Sequence, residues 1–182
     1  MINWLNSIDI FLFRLINENG FTEMDPIMLM ATNKFTWIPL YMIIIYLLYK
    51  KYKLNFLWVI FSLILLISLA DFGSVHFFKN VFERLRPCHQ LEQIRVVGEC
   101  GGLYSFISSH AANTFSIAFF IGLLFRNLWG FVFLFSWSVI IGYSRIYLGV
   151  HFPFDIVGGM FWGLFVSLLT YKLLKLRINE AV

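Results

Sequence analysis

An all-α bundle embedded in a lipid bilayer, with about five transmembrane helices and an N-terminal helix lying on the membrane surface, is the fold the sequence predicts. Three observations lead there. Of the 182 residues, 60% are hydrophobic and only 13% are charged, where a soluble globule carries roughly 25% charge. The mean hydropathy is +0.79. Apolar runs of about 20 residues, the length that crosses the hydrocarbon layer, recur along the chain with no fixed-period repeat or low-complexity linker between them. The length suits one domain, residues 1–182, and leaves no room for two large ones. The 22 phenylalanines say nothing finer, because Phe packs as readily against lipid as against protein.

The N-terminus lacks the basic start of a secretory signal, and Asp9, Arg14 and Glu18 interrupt its apolar residues. Trp4, Leu5, Ile8, Phe11, Leu12, Leu15 and Ile16 recur at helical spacing. This predicts an amphipathic helix over about residues 3–16, on the membrane surface or packed on the bundle. The five expected spans are Pro26–Tyr49, weakened by Asn33 and Lys34; Leu54–Phe78, with Asp71 and His76 inside it; Ser109–Phe125; Leu128–Tyr147; and Pro153–Leu174.

Two connections are very short, KKYK after the first span and RN after the third, and they share one side with the C-terminal tail. Each side carries seven cations, so the bare tally decides nothing. The short-loop side is densely basic near its span ends (Lys50, Lys51, Lys53, Arg126, Lys172, Lys175, Arg177). The positive-inside rule weighs such segments most. It predicts cytoplasmic short loops and an external long loop, Asn80–Ile107.

Three polar clusters fall on the long-loop side. Lys79 and Arg86 are seven residues apart, about two helical turns, which would put them on one face with Pro87 ending the helix. Ser108, Ser109 and His110 open the third span, where Ser108 can cap a helix whose free N–H groups attract anions. Arg145 closes the fourth span. His151 precedes Pro153, and Asp155 follows one turn later. Each piece alone has a plain reading: a snorkelling anchor, a structural histidine, a simple cap. Together they make three cations, two histidines and a carboxylate on one face. An anion with several oxygens, phosphate above all, would relieve the repulsion among the cations.

In these clusters the sequence resembles the type 2 phosphatidic acid phosphatase (PAP2) family, whose fold and anion site are shared with vanadium haloperoxidases. The family motifs read K-x6-R-P, P-S-G-H and S-R-x5-H-x3-D. Lys79–Pro87 and Ser144–Asp155 match the first and third throughout. The second reads ISSH, with Ile107 for Pro and Ser109 for Gly. If the family's glycine needs a positive φ, Ser109 would be strained. The resemblance covers about Asp71–Gly159 and implies a metal-independent membrane phosphatase without cofactor. His151 would be the nucleophile, oriented by Asp155, and a phosphohistidine would form. His110 would protonate the leaving oxygen and then activate water. Lys79, Arg86, Arg145, Ser108 and Ser109 would hold the phosphate.

The implied substrate is a lipid phosphate or diphosphate, with membrane lipids as the other partners and no nucleic acid. The small size and outward site favour undecaprenyl diphosphate. Phosphatidylglycerophosphate, phosphatidic acid and lipid A phosphates are the alternatives, and a non-catalytic anion-binding or transport protein is the rival class. A haloperoxidase reading is disfavoured by the five spans. The implied location is a bacterial inner membrane with the site facing outward. Asp71 and His76 read as supporting hydrogen-bond partners, His89 as exposed, and Lys34 as a snorkelling anchor. Cys88 and Cys100 fall in the outer loop, as a disulfide or as two free thiols. The only four histidines include no HExxH or carboxylate-rich metal set.

Overall fold

Pro39 decides how the first apolar run folds. Proline fits only the first turn of a helix, where its missing N–H is not needed. The computed structural model describes residues 2–178. In it the run is split into α2 (Asp25–Thr32), a 3-10 turn at Lys34–Trp37, and α3 (Ile38–Tyr52), with Pro39 in the first turn of α3. Asn33 makes the break, its Oδ1 accepting from Phe35 N at 3.0 Å in place of a helical bond. α4 (Phe56–Gly73) follows through a 3-10 turn, and Lys53 takes φ 37° at that reversal. Tyr49 packs on Phe56 across the turn, while Trp37 and Tyr41 share a cavity with Ile67 and Asp71, so α3 and α4 run antiparallel.

The expectation of five full-length spans is therefore corrected. Among the described residues three helical stretches are long and apolar enough to cross a membrane: Lys34–Phe82, which holds the α3–α4 reversal, Leu128–Tyr147 and Pro153–Arg177. Ser109–Phe125 is a shorter apolar helix. The reason is local: Asn33 and Pro39 divide the expected first span, Pro26–Tyr49, whereas the turn at Lys53 falls where the short KKYK connection was expected. The all-α polytopic membrane bundle itself stands.

α1 (Ile2–Asn17) packs on the bundle through residues one turn apart, Asp9, Phe13 and Asn17, all fully buried. Phe13 meets Phe152 edge-on, with ring centroids 5.5 Å apart. Trp4, Phe11 and Leu15 point outward. The inward face thus mixes the apolar Phe13 with the polar Asp9 and Asn17, while large apolar side chains face outward.

After α4 the chain makes a π-helical turn, Ser74–Lys79, and one last helical turn, α5 (Asn80–Phe82), that Glu83 ends with a left-handed φ of 47°. Arg86 is therefore not on a helix with Lys79, as the seven-residue spacing suggested. It sits on extended chain beside the return of the loop, where Arg86 N donates to Leu103 O at 3.1 Å and Ser105 N to Arg84 O at 2.7 Å. Pro87 begins a short helix, α6 (Pro87–Gln90), rather than ending one.

Cys88 and Cys100 are joined as a disulfide with their Cα atoms 6.1 Å apart. Asn17 ties the far end of the loop to the bundle, donating to Arg95 O at 2.7 Å and to Tyr147 O at 2.9 Å. The bridge spans 12 residues. Closing so short a loop stabilises by about 3 kcal/mol in the chain-entropy model. The native protein is expected to show no free thiol in detergent and to melt at a lower temperature once reduced. Two thiols titrating without reductant would contradict the bridge.

α7 (Ser109–Phe125), α8 (Leu128–Tyr147) and α9 (Pro153–Arg177) form the centre. Gly159 and Gly163, one turn apart on α9, face Ala111, Ala112 and Ser116 of α7. Such small residues let helices in lipid approach closely. A Cβ at Gly163 would lie 2.8 Å from Ala112 O and from Ser116 N. Because those atoms are backbone, Gly163→Val must separate the helices. Overpacking of this kind costs about 3 kcal/mol, expected as a lower melting temperature in detergent. An unchanged melting temperature would overturn this close approach of α7 and α9. The same contact brings the start of α7 against the start of α9, where Ser108 N donates to Asp155 O at 3.0 Å.

Candidate active site

His151 lies on the short link between α8 and α9 and is 1% exposed. Its Nδ1 meets Asp155 Oδ2 at 3.2 Å, and its Nε2 meets Arg86 Nη1 at 3.1 Å. These partners assign the tautomer. A carboxylate accepts, so Nδ1 carries the proton; a guanidinium only donates, so Nε2 presents its lone pair. Burial first, then Arg86, Arg145 and Lys79, hold the imidazole pKa well below its ordinary value. Geometry and electrostatics together favour the neutral ring, with the Nε2 lone pair facing the Arg86 guanidinium.

Asp155 is fully buried in the first turn of α9. Its Oδ2 also accepts from Phe152 N at 2.8 Å, which closes the helix start. Its Oδ1 accepts from Arg84 Nη1 at 3.1 Å. The same nitrogen pairs with Asp9 at 2.7 Å, and the guanidinium lies 4.0 Å over the Phe152 ring. Burial raises the pKa of Asp9, against the lowering by Phe154 N–H and Arg84. Arg84 and Asp9 are the members that sequence reasoning missed. Arg84 falls outside all three motifs, and in the sequence Asp9 reads only as an interruption in an apolar helix. On extended chain, residues two apart share a face, so Arg84 accompanies Arg86; the spacing from Lys79 suggested a helix there, and no local signal announced it.

Arg86 is 7% exposed and held on three sides, by Gly102 O at 2.5 Å from Nε, and by Val150 O and His151 at 3.1 Å each from Nη1. Burial lowers its pKa, while the charge of Asp155 opposes this. Arg145 Nη1 donates to Thr32 Oγ1 at 2.8 Å, and its Nε is buried without a hydrogen-bond partner among the described residues. Lys79 stands in the electrostatic field of Arg86, Asp155 and Arg145.

Ser108 caps α7, its Oγ accepting from Ala111 N at 3.5 Å. Ser109 occupies ordinary helical backbone at the first position of α7 and is not among the residues of positive φ, so the feared strain is absent. Its hydroxyl instead accepts from Lys79 Nζ at 2.9 Å and meets Ser74 Oγ at 2.6 Å. Ser74 donates onward to Asp71 O at 2.7 Å. The chain of donors runs Lys79, Ser109, Ser74, Asp71 and anchors the lysine tip. His110 is exposed on the wall of a cavity and lies within the fields of Arg145, His151, Lys79 and Arg86.

The predicted site residues thus gather at one end of the bundle. His76 does not join them. It is exposed and lies against Phe72, with ring centroids 4.1 Å apart. His89 is exposed beside Cys100, with 3.4 Å between Nε2 and Sγ. Cys88, His89 and Cys100 lie close enough to suggest a metal set, but sulfurs joined to each other are not thiolate ligands. The basic short-loop end lies opposite, where Lys51 Nζ donates to Leu124 O at 2.6 Å in the last turn of α7.

A family model described as the PAP2 superfamily matches residues 53–179. The chain is 35% identical to a lipid A 4'-phosphatase of Bacteroides thetaiotaomicron, over 94% of this chain and 79% of that one. It is 35% identical to a lipid A 4'-phosphatase of Porphyromonas gingivalis, over 88% and 70%. An undecaprenyl-diphosphatase of Sulfolobus acidocaldarius is similar at 26% identity, over 89% and 76%. Among solved structures, the crystal structure of Aquifex aeolicus LpxE superposes with a TM-score of 0.67 at 27% identity, over 90% of this chain and 94% of that one.

Proposed function

The chain belongs to the PAP2 superfamily of membrane lipid phosphatases, and from that premise we propose that it removes a phosphate monoester from a sugar-linked lipid of the lipid A class. This replaces undecaprenyl diphosphate, which the sequence reading favoured. The observation that carries the change is the likeness to two lipid A 4'-phosphatases at 35% identity, against 26% for the undecaprenyl-diphosphatase.

The mechanism starts from the tautomer. His151 Nε2 attacks phosphorus, and the bond from phosphorus to the lipid oxygen breaks. Positive charge develops on the imidazole, and Asp155 stabilises it through Nδ1–H. Arg86, which donates to Nε2 in the free protein, turns that N–H to a phosphoryl oxygen as the lone pair is used. Lys79 and Arg145 bind the other non-bridging oxygens, with the Ser108 hydroxyl and Ser109 N–H completing the cradle. His110, entering the step as the imidazolium once the substrate's phosphate charge lies beside it, gives its proton to the departing sugar oxygen; neutral, it then takes one from the water that attacks phosphorus as the bond from phosphorus to His151 Nε2 breaks. Phosphate leaves, and both histidines return to their starting states.

The site opens to the outside of the cell, in this reading, at the inner membrane of a bacterium. Two features support it: the basic loops at the opposite end, and a disulfide beside Arg86, which persists in an oxidising compartment. The test is phosphate release by detergent-purified protein from a lipid A monophosphate, phosphatidic acid, phosphatidylglycerophosphate and undecaprenyl diphosphate. The sugar lipid is expected to have the highest kcat/KM, with activity in chelator and inhibition by vanadate. Preference for undecaprenyl diphosphate would overturn the substrate class. Release from none of them would overturn the phosphatase reading.

A further inference from the structure

The family likeness covers residues 53–179, and α1 lies outside it. The buried face of α1 nevertheless reaches the His151–Asp155 pair through one arginine. Asp9 is fully buried. Its Oδ1 accepts from Phe154 N at 2.9 Å, in the first turn of α9 and next to Asp155. Its Oδ2 lies 2.7 Å from Arg84 Nη1 as an ion pair, off the line of a hydrogen bond. The same Nη1 donates to Asp155 Oδ1 at 3.1 Å. Asn6, one turn before Asp9, accepts from Arg84 Nη2 at 3.3 Å. The guanidinium is thus held by α1 on one side and by Asp155 on the other.

One cation therefore stands between two buried carboxylates. A buried carboxylate keeps its charge when it is paired and hydrogen-bonded, and Asp9 has both the guanidinium and a backbone N–H directed at it. Two carboxylates and one guanidinium leave the trio with one net negative charge. Without Asp9 the remaining pair would be neutral. The difference matters when His151 gains positive charge, because the group behind Nδ1–H has to offset it. Arg84 alone would draw the field of Asp155 to itself. Asp9 answers Arg84 and leaves that field for the ring. Water and salt screen such buried charges little.

Resting on the phosphohistidine mechanism above, we propose that Asp9 is a positioning residue for the reaction: acting through Arg84, it keeps a net negative charge behind His151 and so stabilises the imidazolium that forms as phosphorus is attacked. The test measures kcat, KM and inhibition by inorganic phosphate on whichever of the four lipids the wild type cleaves fastest. Asp9→Asn removes the charge and keeps an oxygen for Phe154 N. It is expected to lower kcat by about tenfold, the equivalent of one pKa unit on the ring. KM and the phosphate inhibition constant should change little, because Lys79, Arg86 and Arg145 are untouched. Asp9→Ser removes the same charge and carries the test should Asp9→Asn fail to fold, as judged by its melting temperature in detergent. Adding Arg84→Gln to the neutral variant leaves Asp155 as the one charge of the three, so the net negative charge returns and kcat should recover. A merely structural contact predicts the reverse, a double variant slower than the single one. Unchanged kcat in a folded neutral variant, or a double variant slower still, overturns the role of Asp9 and leaves the proposed function standing. A wild type that cleaves none of the four lipids overturns the proposed function, and this role with it.

Discussion

His151→Ala is expected to lower kcat on a lipid phosphate by about 10⁴-fold or more, the scale seen when a covalent nucleophile is removed. Nothing else in the site can replace it. The other histidine of the site, His110, stands on α7, and the Asp155 carboxylate is hydrogen-bonded to His151, Phe152 and Arg84 rather than to it. The variant should still bind phosphate or vanadate, because the cations remain. Trapping after acid-free quench should find phosphohistidine in the wild type and none in the variant. Retained turnover would return the anion-binding or transport reading.

The pH profile adds a second measurement. Since the folded pKa of His151 lies below its ordinary value of 6.5, the ring stays neutral as pH falls through that value. The acid limb of kcat/KM, which reports the free enzyme, is expected below pH 6.5. The linkage has the same origin. Below pH 6.5 the unfolded chain binds a proton that the folded chain refuses, so stability should fall as pH drops through this range. A limb at or above 6.5 would mean that the imidazole is not held neutral.

Asp155→Asn is expected to cost about 10³–10⁴-fold in kcat, with the fold retained. The carboxylate fixes the proton on Nδ1. An amide can instead turn its NH₂ toward Nδ1, giving up the bond from Phe152 N at the helix start, and stabilise the other tautomer, with the proton on Nε2. That proton would then face Arg86 Nη1, now 3.1 Å away, donor against donor. The nucleophilic lone pair is lost and the anchoring arginine is pushed aside. Arg84 keeps Asp9 as a partner at 2.7 Å, so the surrounding structure has reason to persist. A loss of less than tenfold would show that the carboxylate does not set the tautomer. The decisive control is the melting temperature, which should change far less than the rate.

The legible parts of this protein were those written in local chemistry. The three clusters were readable because a charged or imidazole group in apolar sequence is costly and needs a reason. The pairing of His151 with Asp155 was readable because four residues on a helix make one turn. Lys79 and Arg86 do converge, but not by the helical face their spacing suggested. Glu83 turns left-handed, and Arg86 is placed by the strand-like contact with Leu103, a partner 17 positions away that no local pattern announces. Arg84 and Asp9 were missed for the same reason. Their pairing joins α1 to the loop and depends on how the N-terminal helix lies on the bundle. The span count failed where Asn33 and Pro39 broke an apolar run, a signal present in the sequence but outweighed by hydropathy.

By itself, the sequence determined that this is a helical membrane protein, and which residue types meet at its polar end, because hydropathy and charge cost are properties of each residue and its near neighbours. Only the tertiary structure decided the tautomer of His151, the anchoring of Lys79 through Ser109, and the cavity that His110 lines. Those depend on the close approach of α7 to α9 at Gly159 and Gly163 and on a clamped loop. Contacts between residues distant in the chain are set by packing in three dimensions, and no window along the sequence contains them.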